Sequence, residues 1–131
     1  MKKKKYEALD FGPLPVDVIN RILEMELEPG IAHMSGLAHK HAAEKHPTDY
    51  LVCHPLVSQT IADPTFVGQA PKHRDNFELI RRVPGGDSAV LVAVSVDMDD
   101  DGRYRVRSYY LITEEDVTNR REKRYLKLVQ K

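Results

Sequence analysis

The first half of the chain carries the apolar spacing that is typical of helices. Apolar residues at helical spacing predict an amphipathic helix from Pro15 to about Glu26. After a short extended piece, Ser35 is expected to cap a second helix over Gly36–Lys45, because a serine side chain can accept a hydrogen bond from the first turn. A third helix is predicted over Thr48–Ile61, with an interruption at its internal proline.

The second half changes to the spacing of strands. The predicted strands are Phe66–Gln69, Phe77–Val83, Ala89–Asp97 and Tyr104–Thr113. Glycine-containing turns separate the last three, and these turns favour hairpins. The segment Ala89–Val96 is apolar on both faces, so we expect it to be the central strand. A charged helix is predicted from about Glu114.

This order of elements predicts an α+β fold. We expect N-terminal helices packed on a four-stranded antiparallel sheet, with a C-terminal helix. With 131 residues the chain has the length of one domain. Residues 1–13 are predicted to be a basic flexible lead-in, and residues 14–131 a single domain.

The composition is that of an ordinary globular protein, with 41% hydrophobic and 31% charged residues. Lys plus Arg and Asp plus Glu both number 20, so any nucleic-acid site must be a local basic surface. The lysines at positions 2–5 precede polar residues, which is unlike a signal peptide, and no apolar run reaches membrane-spanning length. One cysteine, Cys53, excludes an internal disulfide framework and is expected to be buried. We therefore expect a cytoplasmic protein with no membrane partner.

A group of histidines lies in and around the second helix. His39 and His46 are seven residues apart and share nearly one helix face, and His33 precedes them. They can be packing residues or acid–base residues, and the pattern leaves both alternatives open. His39 and His41 diverge by about 200° around a helix, so we expect no metal site.

Alternating arginines mark the last predicted strand. Period-two alternation places Arg103, Arg105, Arg107 and Tyr109 on one face and Ser108 on the other. Guanidinium groups bind phosphate and tyrosine can stack on a base, which suits RNA. The alternative is a solvated face whose arginines offset the acidic turn that precedes the strand.

Several short segments carry a resemblance to a nuclease group. They are Pro29–Ser35, Leu37–His41, His46-Pro47, Ile61–Pro64, Phe77–Arg82, Leu91–Val94 and Arg107–Tyr110. Over roughly Val16 to Thr113 the chain resembles the phage-type branch of the barnase–EndoU–colicin–RelE superfamily. The resemblance implies N-terminal helices on a four-stranded antiparallel sheet and, in many members, RNA cleavage without a metal or another cofactor.

The resemblance also implies a set of site residues and a mechanism. The expected catalytic residues are His39, His46, Arg107 and Ser108, and the expected substrate-binding residues are His33, Lys40, Arg105 and Tyr109. A base would take the proton of the ribose 2′-hydroxyl, whose oxygen attacks the adjacent phosphorus. Glu78 is an alternative base.

Two functions follow as hypotheses. The first is an endoribonuclease, acting on RNA such as tRNA, from a phage, toxin or mobile-element setting with an immunity or antitoxin protein as partner. The second is a non-catalytic module of the same fold that binds nucleic acid or protein. The nuclease hypothesis requires His39 or His46 to reach Arg107 and Ser108.

Overall fold

The computed structural model describes residues 6–129, which form one mixed sheet with helices against it. The strands are β1 (Leu9–Pro13), β2 (Ile31–Met34), β3 (Phe66–Gly68), β4 (Asn76–Arg82), β5 (Ser88–Met98), β6 (Arg103–Thr113) and β7 (Leu126–Leu128). The helices are α1 (Val16–Leu23), α2 (Gly36–Lys45), α3 (Pro47–Cys53), α4 (Val57–Ala62) and α5 (Glu114–Glu122), and a 3₁₀ turn, His54–Leu56, joins α3 to α4.

The sheet has seven strands in the order β1-β2-β6-β5-β4-β3-β7. All neighbours pair antiparallel except β2 and β6, which are parallel. The fold is α+β, but the predicted four-stranded antiparallel sheet is wrong, because β1, β2 and β7 extend it. The predicted central strand is confirmed, since β5 is the middle one of the seven.

The three additional strands are short, with five residues in β1, four in β2 and three in β7. Strand β1 lies inside the segment predicted as a flexible lead-in, of which residues 1–5 are outside the described part of the chain. A register shift between Asp10 and Gly12 interrupts its pairing with β2, and Gly12 has a φ of 99° that favours glycine. Strand β2 is the predicted extended piece, joined to the sheet through β6.

The two faces of the sheet are covered differently. The face under α1–α4, here called the helix face, holds the larger core, which includes Ile19, Met34, Val57 and Phe77. On the other face, α5 buries a smaller core around Val117 and Phe66. Part of this second face, here called the open face, is left uncovered because α5 is a single short helix.

The ends of the helices are determined by residues in the local sequence. Ser35 caps α2 as predicted, with its hydroxyl accepting the amide N–H of Ala38 at 3.1 Å. Helix α1 ends at Leu23, three residues earlier than predicted, because Glu24 adopts a left-handed φ of 56°. Pro55 lies in the 3₁₀ turn and divides the predicted third helix into α3 and α4.

Within residues 6–129, no helix is both long enough and apolar enough to cross a membrane.

Candidate functional site

A β-bulge in β6 decides which side chains reach the open face. Val106 pairs with Val94 while Ser108 pairs with Ala93, so Arg107 is an extra residue. Arg107 and Ser108 therefore both lie on the open face, and Tyr109 turns into the core of the helix face. The predicted strict alternation is wrong beyond Arg107, because alternation assumes that no residue is inserted.

Across β1, β2 and β6, one row of paired residues presents Asp10, His33 and Arg105. The neighbours of His33 along β2, Ala32 and Met34, are buried in the helix-face core, so the imidazole lies on the open face. Its Nδ1 lies 2.6 Å from Asp10 Oδ1. Because a carboxylate accepts, Nδ1 donates in this contact, and Nε2 makes no hydrogen bond to residues 6–129.

The imidazole of His33 lines a cavity of about 370 Å³ at the edge of β6. The cavity is lined by His33, Ser35, Ala38, Asp99, Arg103, Arg105, Val106 and Arg107. Arg103 is bound to the acidic turn through Asp99 at 3.0 Å and Asp101 at 3.2 Å. Arg103 thus offsets the charge of this turn, and its Nη1 also lies 3.4 Å from Nδ1 of His33.

The two remaining arginines are exposed and make few contacts. Arg105 and Arg107 form no ion pair within the described part of the chain, and Arg107 donates a long hydrogen bond of 3.4 Å to the hydroxyl of Ser95. Both guanidinium groups can therefore bind an anionic ligand without breaking an ion pair. We call Asp10, His33, Arg105, Arg107 and Ser108 the polar face.

A second row continues across the sheet from the polar face. Ser108 pairs with Ala93, and Ala93 pairs with Glu78 on β4. The Glu78 carboxylate accepts a 2.6 Å hydrogen bond from Nη1 of Arg120 on α5. Burial raises the pKa of Glu78, and the nearby Arg120 opposes this shift.

Glu78 lines a cavity of about 630 Å³, here called the Glu78 cavity. Its lining is formed by Ala70, Pro71, Lys72, His73, Glu78, Tyr110, Arg120, Lys123 and Tyr125. Burial raises the pKa of the Tyr110 hydroxyl, and the Glu78 charge adds to this shift. The cavity thus combines one carboxylate, aromatic rings and an excess of cationic groups.

His39 lies on the helix face and is engaged at both ring nitrogens. Nδ1 donates to the carbonyl oxygen of Glu7 at 2.9 Å, and Nε2 lies 2.6 Å from the hydroxyl of Tyr50. The imidazole stacks on that of His54, with ring centres 5.1 Å apart. His39 is only 7% exposed, and the sheet separates it from Arg107 and Ser108.

Tyr109 belongs to the same group of packed rings, which we call the aromatic cluster: Tyr6, His39, Tyr50, His54 and Tyr109. Its hydroxyl is 2.8 Å from Nδ1 of His54, and its side chain is 1% exposed. Burial lowers the pKa of His54, and His39 beside it adds to this effect. Tyr109 cannot stack on a base without leaving the core.

His46 and Lys40 are exposed on or beside α2. The His46 imidazole lies 6.3 Å from the ring of Tyr110, which follows Ser108 on the open face. His33 and His46 flank opposite ends of α2, a helix of ten residues and hence about 15 Å long. Among the described residues, His46 is not part of the lining of the cavity that contains His33.

Of the eight expected site residues, the structure brings His33, Arg105, Arg107 and Ser108 to one surface. His39 and Tyr109 lie on the opposite face of the sheet. Cys53 is buried as expected, and burial raises the pKa of its thiol to about 12. Asp10 was missed because its part in the site depends on the pairing of β1 with β2, which no local pattern indicates.

Between residues 6 and 129, no three His, Cys, Asp or Glu side chains are close enough to hold one metal ion.

Comparisons with models of protein families, with curated proteins and with solved structures found no match to this chain.

Proposed function

We propose that the chain is a metal-independent endoribonuclease that holds single-stranded RNA on the polar face. The observation that supports this most is the row formed by Asp10, His33 and Arg105, with Arg107 beside it. It combines an oriented imidazole with two guanidinium groups that have no ion-pair partner among the described residues. This proposal replaces His39 by His33 as the acid–base residue.

In the proposed reaction, Nε2 of His33 takes the proton of a ribose 2′-hydroxyl. The 2′-oxygen attacks the adjacent phosphorus, and the bond from phosphorus to the 5′-oxygen breaks. A water molecule supplies the proton to this departing oxygen, and the His33 imidazolium afterwards returns its proton to the hydroxide that remains. The products are a 2′,3′-cyclic phosphate and a 5′-hydroxyl end.

The other polar-face residues have separate roles in this reaction. Arg105 and Arg107 stabilise the additional negative charge on the phosphate oxygens in the transition state. The Ser108 hydroxyl donates a hydrogen bond to one of these oxygens. Asp10 holds the imidazole ring in place and stabilises the imidazolium that forms when His33 takes the proton.

A non-catalytic RNA-binding module is the second candidate function. It is favoured by one observation: among the described residues, no second histidine lines the cavity beside His33. In that case the RNA phosphates are bound by Arg105, Arg107 and His33, and the RNA is released without cleavage.

The setting that we propose is the cytoplasm of a cell that carries a phage, toxin or mobile-element gene. An unpaired cysteine such as Cys53 stays reduced there. An immunity or antitoxin protein would act by covering the polar face.

The test is incubation of the purified chain with single-stranded RNA in excess EDTA, beside His33→Ala. We expect fragments that end in 2′,3′-cyclic phosphate, and a loss of about 100-fold or more in rate for the variant. His41→Ala is the matched control, because His41 is an exposed histidine of α2 outside the polar face. Full activity of His33→Ala would reject the catalytic assignment. RNA binding without cleavage by the unaltered chain would establish the module instead.

A further inference from the structure

The Glu78 cavity is the largest recess among those described, and the proposed reaction does not use it. Its volume of about 630 Å³ falls within the range of roughly 300–1,000 Å³ that is usual for small-molecule sites. Tyr110 and Tyr125 supply aromatic wall, and Lys72 and Lys123 are exposed cations at its rim. These groups suit a ligand that has both a flat ring and a negative charge.

The Glu78 carboxylate, an acceptor, and the Arg120 guanidinium, a donor, limit which base can bind inside the cavity. Glu78 Oε1 accepts from Arg120, and the second carboxylate oxygen has no hydrogen-bond partner among residues 6–129. Guanine presents two neighbouring donors, N1–H and the N2 amino group, beside the acceptor O6. A carboxylate next to a guanidinium complements that edge of guanine. Uracil would place a carbonyl oxygen against the carboxylate, and adenine and cytosine each offer only one donor group.

The position of the cavity links it to the polar face. Glu78, Ala93 and Ser108 form one row, so Glu78 and Ser108 are two strand spacings apart, roughly 10 Å. One nucleotide spans such a distance from the edge of its base to its phosphate. Ala93 lies between them in this row, and its side chain is small.

We propose that the Glu78 cavity binds the guanine base of the nucleotide whose phosphate lies at Arg107 and Ser108. This inference rests on the proposed function, because it assigns the base specificity of that same RNA site. Glu78 accepts from N1–H and the N2 amino group, Arg120 donates to O6, and Tyr110 or Tyr125 stacks against the ring. Lys72 and Lys123 contact the neighbouring phosphate.

The experiment measures binding of 5′-GMP, AMP, CMP, UMP and inorganic phosphate to the intact chain by calorimetry. We expect GMP to bind about tenfold or more tighter than the other nucleotides, because two hydrogen bonds to a charged acceptor are at stake. Glu78→Gln should remove this preference, since an amide nitrogen replaces one acceptor oxygen. Glu115→Gln on α5 is the matched control, because Glu115 is exposed and outside the cavity lining.

Each outcome bears on the inference. Equal binding of all four nucleotides, binding of phosphate alone as tightly as GMP, or an unchanged preference in Glu78→Gln would overturn it. If Glu78→Gln does not fold, Lys72→Ala and Lys123→Ala replace it, since both lysines are exposed; the expected result is weaker GMP binding with the preference over AMP retained.

These measurements separate the inference from the proposed function, because mononucleotide binding needs no cleavage. Selective GMP binding by a chain that does not cleave RNA would leave the base site standing and reject the nuclease. Cleavage after every base, with no selective binding of GMP, would leave the nuclease standing and reject the base site.

Discussion

At the scale of single residues, the contact of its hydroxyl with His54 shows that Tyr109 is a core residue and does not face a ligand. It lies beneath the helices, bound to His54, although the sequence places it in a run of arginines and tyrosines that suits RNA. Its side chain therefore stabilises the fold and is not exposed to bind RNA. The same reasoning applies to His39, whose two ring nitrogens both have partners.

Tyr109→Phe should therefore lower stability and leave RNA affinity unchanged. The substitution removes the hydroxyl that binds His54 and leaves Nδ1 of a half-buried imidazole without this partner, at a cost of about 1–2 kcal/mol. Urea unfolding measures the change. Tyr125→Phe is the control, because its hydroxyl makes no hydrogen bond to the described residues. An unchanged free energy of unfolding for Tyr109→Phe would contradict the core position of Tyr109.

At the scale of elements, α5 decides how much of the second sheet face stays open. Its start is fixed by a reciprocal pair of hydrogen bonds: the Thr113 hydroxyl accepts from the Asp116 amide, and the Asp116 carboxylate accepts from the Thr113 amide. The helix also carries Arg120 to Glu78. Its cap therefore supports both the smaller core and the wall of the Glu78 cavity.

Thr113→Ala should destabilise the protein by about 0.5–2 kcal/mol, because the first turn of α5 loses its side-chain acceptor. Thermal or urea unfolding gives the value. Thr118→Ala is the matched control, since Thr118 is exposed on the same helix outside the cap. Equal losses in the two variants would show that the cap contributes nothing specific.

The strands with strong apolar patterns could be predicted from the sequence. The bounds of β3 to β6 lie within one residue of their predicted positions, since Val, Ile, Leu and Phe at short period and glycine turns determine them locally. The helix cap at Ser35 and the break at Pro55 are equally local. Such features depend only on near neighbours in the chain.

The remaining features depend on partners distant in sequence. The pairing of β2 with β6 joins His33 to Arg105 across 72 positions, and no local pattern specifies it. The bulge at Arg107 is set by how β5 and β6 pack, and it reverses the expected face of Ser108 and Tyr109. His33 and the arginines could be proposed from the sequence as site residues, but the pairing of His33 with Asp10 could not.

At the scale of the whole molecule, the net charge of zero conceals a local concentration of positive charge. Arg105 and Arg107 lie side by side on the open face, while acidic residues occupy the turn after β5 and the first turn of α5. Because surface charges act over about 8 Å at physiological salt, the local charge distribution, and not the net charge, decides whether this face can bind a phosphate. The balanced composition therefore does not exclude a phosphate site.

Arg105→Ala should weaken RNA binding and reduce its dependence on salt. Each phosphate contact to single-stranded RNA contributes about 0.7 to the slope of log K against log salt, so the slope should fall by about that amount. Arg21→Ala on α1 is the control, because this exposed arginine lies outside the polar face. An unchanged slope for Arg105→Ala would place the RNA elsewhere.

The most direct test of the RNA site is a backbone amide NMR spectrum recorded with a 2′-O-methyl RNA that cannot be cleaved. We expect the largest shifts at the amides of His33 and of residues 105–108, on the open face. We expect small shifts around His54 and Tyr109 in the aromatic cluster. Shifts confined to α2 and α3, where Leu37 and Leu51 are exposed, would contradict the assignment of the RNA site to the polar face.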